Sequence, residues 1–169
     1  MTPNAYRCVG CSLEYGIPMK LRVYEGATEL RMLTWPAWCQ QCEAPVLAEY
    51  LPSPAAILAE ARALRRGDEI YAYQISSDFY LDKPEYLPTE LARLDQLMQW
   101  RRTRKAPSQC LDCGCTDLMF ASHPEASFWH PGCGGLLQPR YTVCAGIFRL
   151  PLETYSSEGI KLSSRIVTC

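Results

Sequence analysis

Cys8-Val9-Gly10-Cys11 and Cys39-Gln40-Gln41-Cys42 each carry two thiols at the spacing that lets one backbone turn present both sulfurs to a metal ion. Two such turns complete a tetrahedron, and a set of four cysteines is chemistry that zinc selects. In chain order the first zinc site is therefore expected to be Cys8, Cys11, Cys39 and Cys42. Gly10 is read as the residue that gives the first turn its backbone freedom. Further along, Cys110-Leu111-Asp112-Cys113 and His130-Pro131-Gly132-Cys133 supply a Cys3His set, Cys110, Cys113, His130 and Cys133. Cys115 and His123 compete as ligands there. Two zinc ions per chain are expected. A catalytic zinc keeps one position open for water, and four protein ligands at each site close it. No Gly-x-Ser-x-Gly, His-Glu-x-x-His or glycine-rich phosphate loop occurs, so no catalytic residue is assigned.

Composition favours metal over disulfides. Ten cysteines in 169 residues could form a disulfide framework only in an oxidising compartment. The opening residues show no apolar signal-peptide run, and no long apolar stretch suits a membrane span, so a cytoplasmic chain without membrane contact is expected. The net charge of −1 and pI near 6.1 supply no global basic field for nucleic acid.

The elements that must position these ligands read as α+β. In the first part, strands are expected at Lys20–Tyr24, Leu30–Leu33 and Val46–Tyr50, with a hairpin turn between the first two. Trp35 and Trp38 stand beside the second cysteine turn, where they would shield thiolates from water. Ser53-Pro54 opens a helix with serine as N-cap; Ile57, Leu58, Ala61 and Leu64 form its apolar face and Gly67 stops it. Residues 68–88 are acidic and rich in tyrosine, with a strand in the alternating part that includes Tyr71 and Tyr73. A second helix is expected over 89–105, its stripe made by Leu91, Leu94, Leu97 and Met98, with Trp100 off the stripe. It ends in the cationic run Arg101-Arg102-Thr103-Arg104-Lys105. Beyond Pro107 comes the second metal unit, with a final strand between Tyr141 and Leu150 and a buried core thiol at Cys144.

Both metal-binding stretches resemble zinc ribbons, in which two cysteine turns clamp a small β-sheet. The resemblance implies two zinc-ribbon-like β units joined by a helix–strand–helix segment, with boundaries at 1–52, 53–106 and 107–169. It covers fold and metal and leaves function open.

For function, closed metal sites, near-neutral charge and clustered aromatics point to a protein-binding module: an adaptor, inhibitor or immunity protein. Tyr71, Tyr73, Tyr80 and Trp100 are the expected anchors, because tyrosine and tryptophan give contact area at low entropic cost. Their acidic neighbours suit a basic enzyme or toxin as partner. Nucleic acid is the second choice, resting on Arg101 and Arg102 with their flanking cations.

Overall fold

The computed structural model describes residues 4–25, 32–67, 87–122, 126–141 and 149–168. Among them are two helices and ten strands in three small sheets, a mixed α+β architecture. The first sheet has the order β2 (Glu14–Gly16), β1 (Ala5–Cys8), β8 (Leu136–Arg140), β7 (Phe128–Trp129), antiparallel throughout. The second holds β5 (Ala44–Glu49), β4 (Thr34–Cys39) and β6 (Leu118–Phe120), also antiparallel. The third runs β10 (Lys161–Thr168), β9 (Arg149–Tyr155), β3 (Leu21–Tyr24), with β3 parallel to β9. Every sheet thus contains strands from both ends of the chain.

Helix α1, Pro54–Arg66, forms where its sequence punctuation says it should. The Ser53 side chain accepts the Ala56 N–H at 3.1 Å, and Gly67 ends the helix with φ 77°, returning its N–H to the last carbonyls. The apolar face differs from expectation at Leu58, Glu60 and Ala63. Leu58 is exposed, and Glu60 lies buried with Ile57, Ala61, Ala63 and Leu64. Helix α2 spans Leu87–Thr103 rather than 89–105 and buries Leu94, Leu97 and Met98, with Leu91 packed at the margin. The two helices close over Tyr24, Met32, Leu111 and Tyr155 in the main core. Trp100 is not off this core: its ring lies 4.5 Å from that of Tyr24 and packs against the same cluster.

Two buried carboxyls are shifted in opposite directions. Glu153 of β9 is met by Arg22 from β3, Lys20, Lys161 from β10 and the Tyr155 hydroxyl. Burial alone would raise its carboxyl, but these donors and cations outweigh it and hold it down to about 2. Glu60 is the opposite case. Burial and the Glu90 carboxylate push its carboxyl up to about 7, against the pull of Arg93. A carboxyl raised in the fold favours the protonated state, so its stability contribution is complete below the ordinary value near 4.5 and is lost as pH rises through about 7. Glu60→Gln should therefore melt like the parent at pH 5 and be more stable above pH 7, by about 2 kcal/mol after allowance for screening. Thermal melts across pH 5–8.5 check this; parallel curves would contradict it.

The expected turn at residues 26–29 and the strand residues Leu30 and Arg31 lie outside the described residues, as do Tyr71, Tyr73, Tyr80, His123 and Cys144. Thr34–Cys39, read from sequence as the approach to a cysteine turn, is itself the central strand of the second sheet. No described helix is long and apolar enough to cross a membrane.

Candidate metal centres

The eight ligands expected from sequence gather into two clusters, but not as chain order suggests. Cys8 and Cys11 meet His130 and Cys133; Cys39 and Cys42 meet Cys110 and Cys113. The first pair of turns therefore does not close a site with the second, which corrects the Cys8–Cys11–Cys39–Cys42 and Cys110–Cys113–His130–Cys133 groupings. The physical cause is strand pairing. β1 runs antiparallel to β8 with Cys8 opposite Leu137, which carries the first turn to the one before β8. β4 runs antiparallel to β6 with Cys39 opposite Leu118, which carries the second turn to Cys110–Cys113. The sites are nested along the chain, an inner one (Cys39, Cys42, Cys110, Cys113) enclosed by an outer one (Cys8, Cys11, His130, Cys133).

Both clusters fit a tetrahedral ion. Ligand atoms within each lie within 4.8 Å of one another. At a zinc–sulfur bond of about 2.3 Å a tetrahedron has edges of about 3.8 Å. In the inner site Cys42 and Cys110 sulfurs stand 3.8 Å apart and those of Cys39 and Cys113 3.5 Å. In the outer site the Cys8–Cys133 edge is 3.4 Å, and His130 Nδ1 is 3.4 Å from Cys11 Sγ and 3.1 Å from Cys133 Sγ. Soft thiolates with imidazole suit zinc and its neighbours rather than calcium or magnesium.

His130 is aimed from behind. Its Nδ1 faces the sulfurs, while Nε2 lies 3.0 Å from the Tyr15 hydroxyl. With Nδ1 given to a metal, Nε2 carries the proton and donates to Tyr15, fixing tautomer and ring orientation. Trp38 packs beside the same ring at 5.2 Å, at the outer site and not over the thiolates of its own Cys39–Cys42 turn as expected. Trp35 is occupied elsewhere, stacked on Tyr50 at 4.6 Å and donating to the Ala121 carbonyl. Tyr15 escaped the sequence reading. Only the long-range pairing of β2 with β1, and of β1 with β8, brings it to the histidine.

Each site mixes lowered and raised thiols: Cys8 is lowered and Cys133 raised in the outer site, Cys113 lowered and Cys42 and Cys110 raised in the inner one. The Cys11 backbone N–H is the main influence that holds the Cys8 thiol down to about 6. In the inner site burial pushes Cys110 up to about 12 and raises Cys42 as well. Metal binding must displace those inner protons, and the return is a thiolate–metal bond in a dry setting.

Glycine enters for close approach. Gly10 has no left-handed backbone; the positive φ falls on the residue after each turn, Ser12, Glu43, Gly114 and Gly134. What Gly10 supplies is room for Gly135. A Cβ on Gly135 would stand 2.8 Å from Cys8 Sγ and 3.0 Å from the Gly10 backbone. Gly135→Ala should therefore wedge the outer site open and lower metal content from two ions per chain to one. Gly16→Ala, with open space around it, is the control and should keep both. Elemental analysis of the two variants decides.

Cys115 lies close to the inner site without joining it; its sulfur accepts the Asp117 N–H at 3.3 Å. The cationic run does not form one face. Arg101 donates to the Pro52 carbonyl, Arg102 and Lys105 are exposed, and Arg104 is buried against Glu49. Comparison with protein-family models, curated proteins and solved structures finds no match.

Proposed function

We propose that the chain is a zinc-clamped module that binds another protein and carries out no chemistry of its own, in the manner of an adaptor, inhibitor or immunity protein. The observation that carries this reading is the completeness of both ligand sets. Four side chains surround each ion position, so a zinc held there has no place for water or substrate. The ions then serve as staples for small sheets with little core of their own.

Electrostatics supports a basic partner. Seven ligating thiolates against two dications would shift the formal charge from −1 to about −4. That disfavours nucleic acid, and the splitting of the Arg101–Lys105 run removes the main feature favouring it. Trp100 is engaged with Tyr24, which leaves Tyr71, Tyr73 and Tyr80 as the anchors of this reading. Thiolate–zinc sites also need a reducing compartment, in keeping with the cytoplasm.

The experiment is capture from native lysate by the zinc-loaded chain, with and without nuclease. A basic protein retained equally in both arms, and lost with Tyr80→Ala at unchanged melting temperature, supports the reading. Retention abolished by nuclease, or lost only on charge reversal at Arg101 and Arg102, overturns it in favour of a nucleic-acid partner.

A further inference from the structure

The two clusters offer an ion different surroundings. The inner ligands are built into an apolar cluster. Cys39 and Cys110 are themselves core residues, packed with Ala37, Val46 and Ala48, and Cys42 and Leu118 cover them. Non-metal contacts bring the same segments together: Ala48 bridges to Cys110, Glu49 N–H donates to the Gln109 carbonyl, and Gln40 N–H to that of Asp117. Those contacts preorganise the four sulfurs and keep water from Cys39 and Cys110, while Cys42 is half-buried and Cys113 is exposed.

The outer site also anchors a ligand in an apolar cluster, Cys8 beside Trp38 and Leu137, but leaves two sulfurs exposed where the inner site leaves one. Cys11 and Cys133 are exposed, while Cys8 and His130 are buried. The turns that carry them end in glycines and in side chains pointing to solvent, with Val9, Leu13 and Trp129 each more than half exposed. Chain connectivity adds to the difference. The outer site joins Cys11 to His130 across 119 positions, the inner one Cys42 to Cys110 across 68. By loop-closure scaling this lowers outer-site affinity only about two- to threefold, so exposure is the larger effect.

We propose that the outer site is a metal-exchange site, one that takes up and releases soft divalent ions such as zinc or cadmium while the inner site keeps its zinc. An incoming thiol or chelator can reach the ion beside Cys11 and Cys133 and displace sulfur ligands one at a time. At the inner site the same attack finds one exposed sulfur, Cys113, and must then displace Cys39 and Cys110 from within the apolar cluster. Contacts that hold ligands in place commonly change metal affinity by about tenfold or more.

The inference rests on the zinc occupancy proposed above, and the test separates the two. Full-length protein is first assayed for metal; two equivalents of zinc establish occupancy independently of any partner. A zinc chelator is then added, and release is followed while iodoacetamide traps freed thiols for peptide mass spectrometry. The expected result is two phases about tenfold or more apart. At the end of the first, one equivalent has left, with alkylation on Cys8, Cys11 and Cys133 and protection of Cys39, Cys42 and Cys110. Release of both ions in one phase, or labelling of the inner cysteines first, overturns the proposal. Metal content below two equivalents at the outset overturns it together with the zinc reading. Failure of partner capture leaves it standing.

Discussion

Cys39→Ser is expected to lose the inner zinc and unfold the second sheet, lowering the melting temperature by about 15 °C or more. Cys39 is fully buried at the end of β4, the strand that pairs with both β5 and β6. A serine hydroxyl stays protonated at neutral pH and is a poor substitute for thiolate. Structural zinc contributes on the order of 10–16 kcal/mol, as much as the whole stability of a typical domain, so loss of even half exceeds what these strands can absorb. At this chain length 1 kcal/mol shifts melting by about 2–4 °C, and a loss of about 5 kcal/mol gives the figure stated. The milder Cys113→Ser, at an exposed ligand, tests the pairing itself. Alkylation of the folded variant should spread to Cys39, Cys42 and Cys110. Labelling of Cys110 and Cys133 with Cys39 and Cys42 still protected would restore the chain-order grouping.

The pairing was the part least legible in the sequence, and the reason is physical. A Cys-x-x-Cys turn is a local object, so the four turns and all eight ligands could be read from spacing. Which turn faces which depends on strand register between residues more than a hundred positions apart, as with Cys8 and Leu137. Strands of three to six residues carry too little pattern to specify such partners. Helix α1 was legible because Ser53, Pro54 and Gly67 act within one turn of themselves. Its face was misjudged at Glu60 because a carboxyl counts as polar by composition. Glu60 instead sits against α2, where Glu90 and burial keep it largely protonated below neutral pH.

Arg104 shows the same limit at higher cost. Among the cations closing α2 it looks like a solvated charge complementing the helix dipole. In the fold its guanidinium is fully buried, 2.7 Å from a Glu49 carboxylate oxygen, and it also donates to the carbonyls of Ala106 and Ser157. Glu49 in turn accepts the Tyr24 hydroxyl. Gly159, at φ 78°, closes the far side; no other residue fits, because a Cβ there would strike Gln109, Arg104 and Glu49. The network ties α2, β5 and the β9–β10 turn to the segment that carries Cys110.

Arg104→Ala should therefore destabilise the protein by about 3–5 kcal/mol, because it leaves Glu49 buried without its cation. Burial already raises the Glu49 carboxyl, and Arg104 is one of the groups that pull it back. Without the arginine Glu49 is expected to take a proton on folding, so the cost should be smaller at pH 5 than at pH 8. Glu49→Gln in the Arg104→Ala background removes the stranded charge and should recover part of the loss at pH 8. Denaturant melts of the single and double variants at the two pH values measure each term. A loss below about 1 kcal/mol for Arg104→Ala, or no recovery in the double variant, would place Arg104 among the solvated surface cations after all.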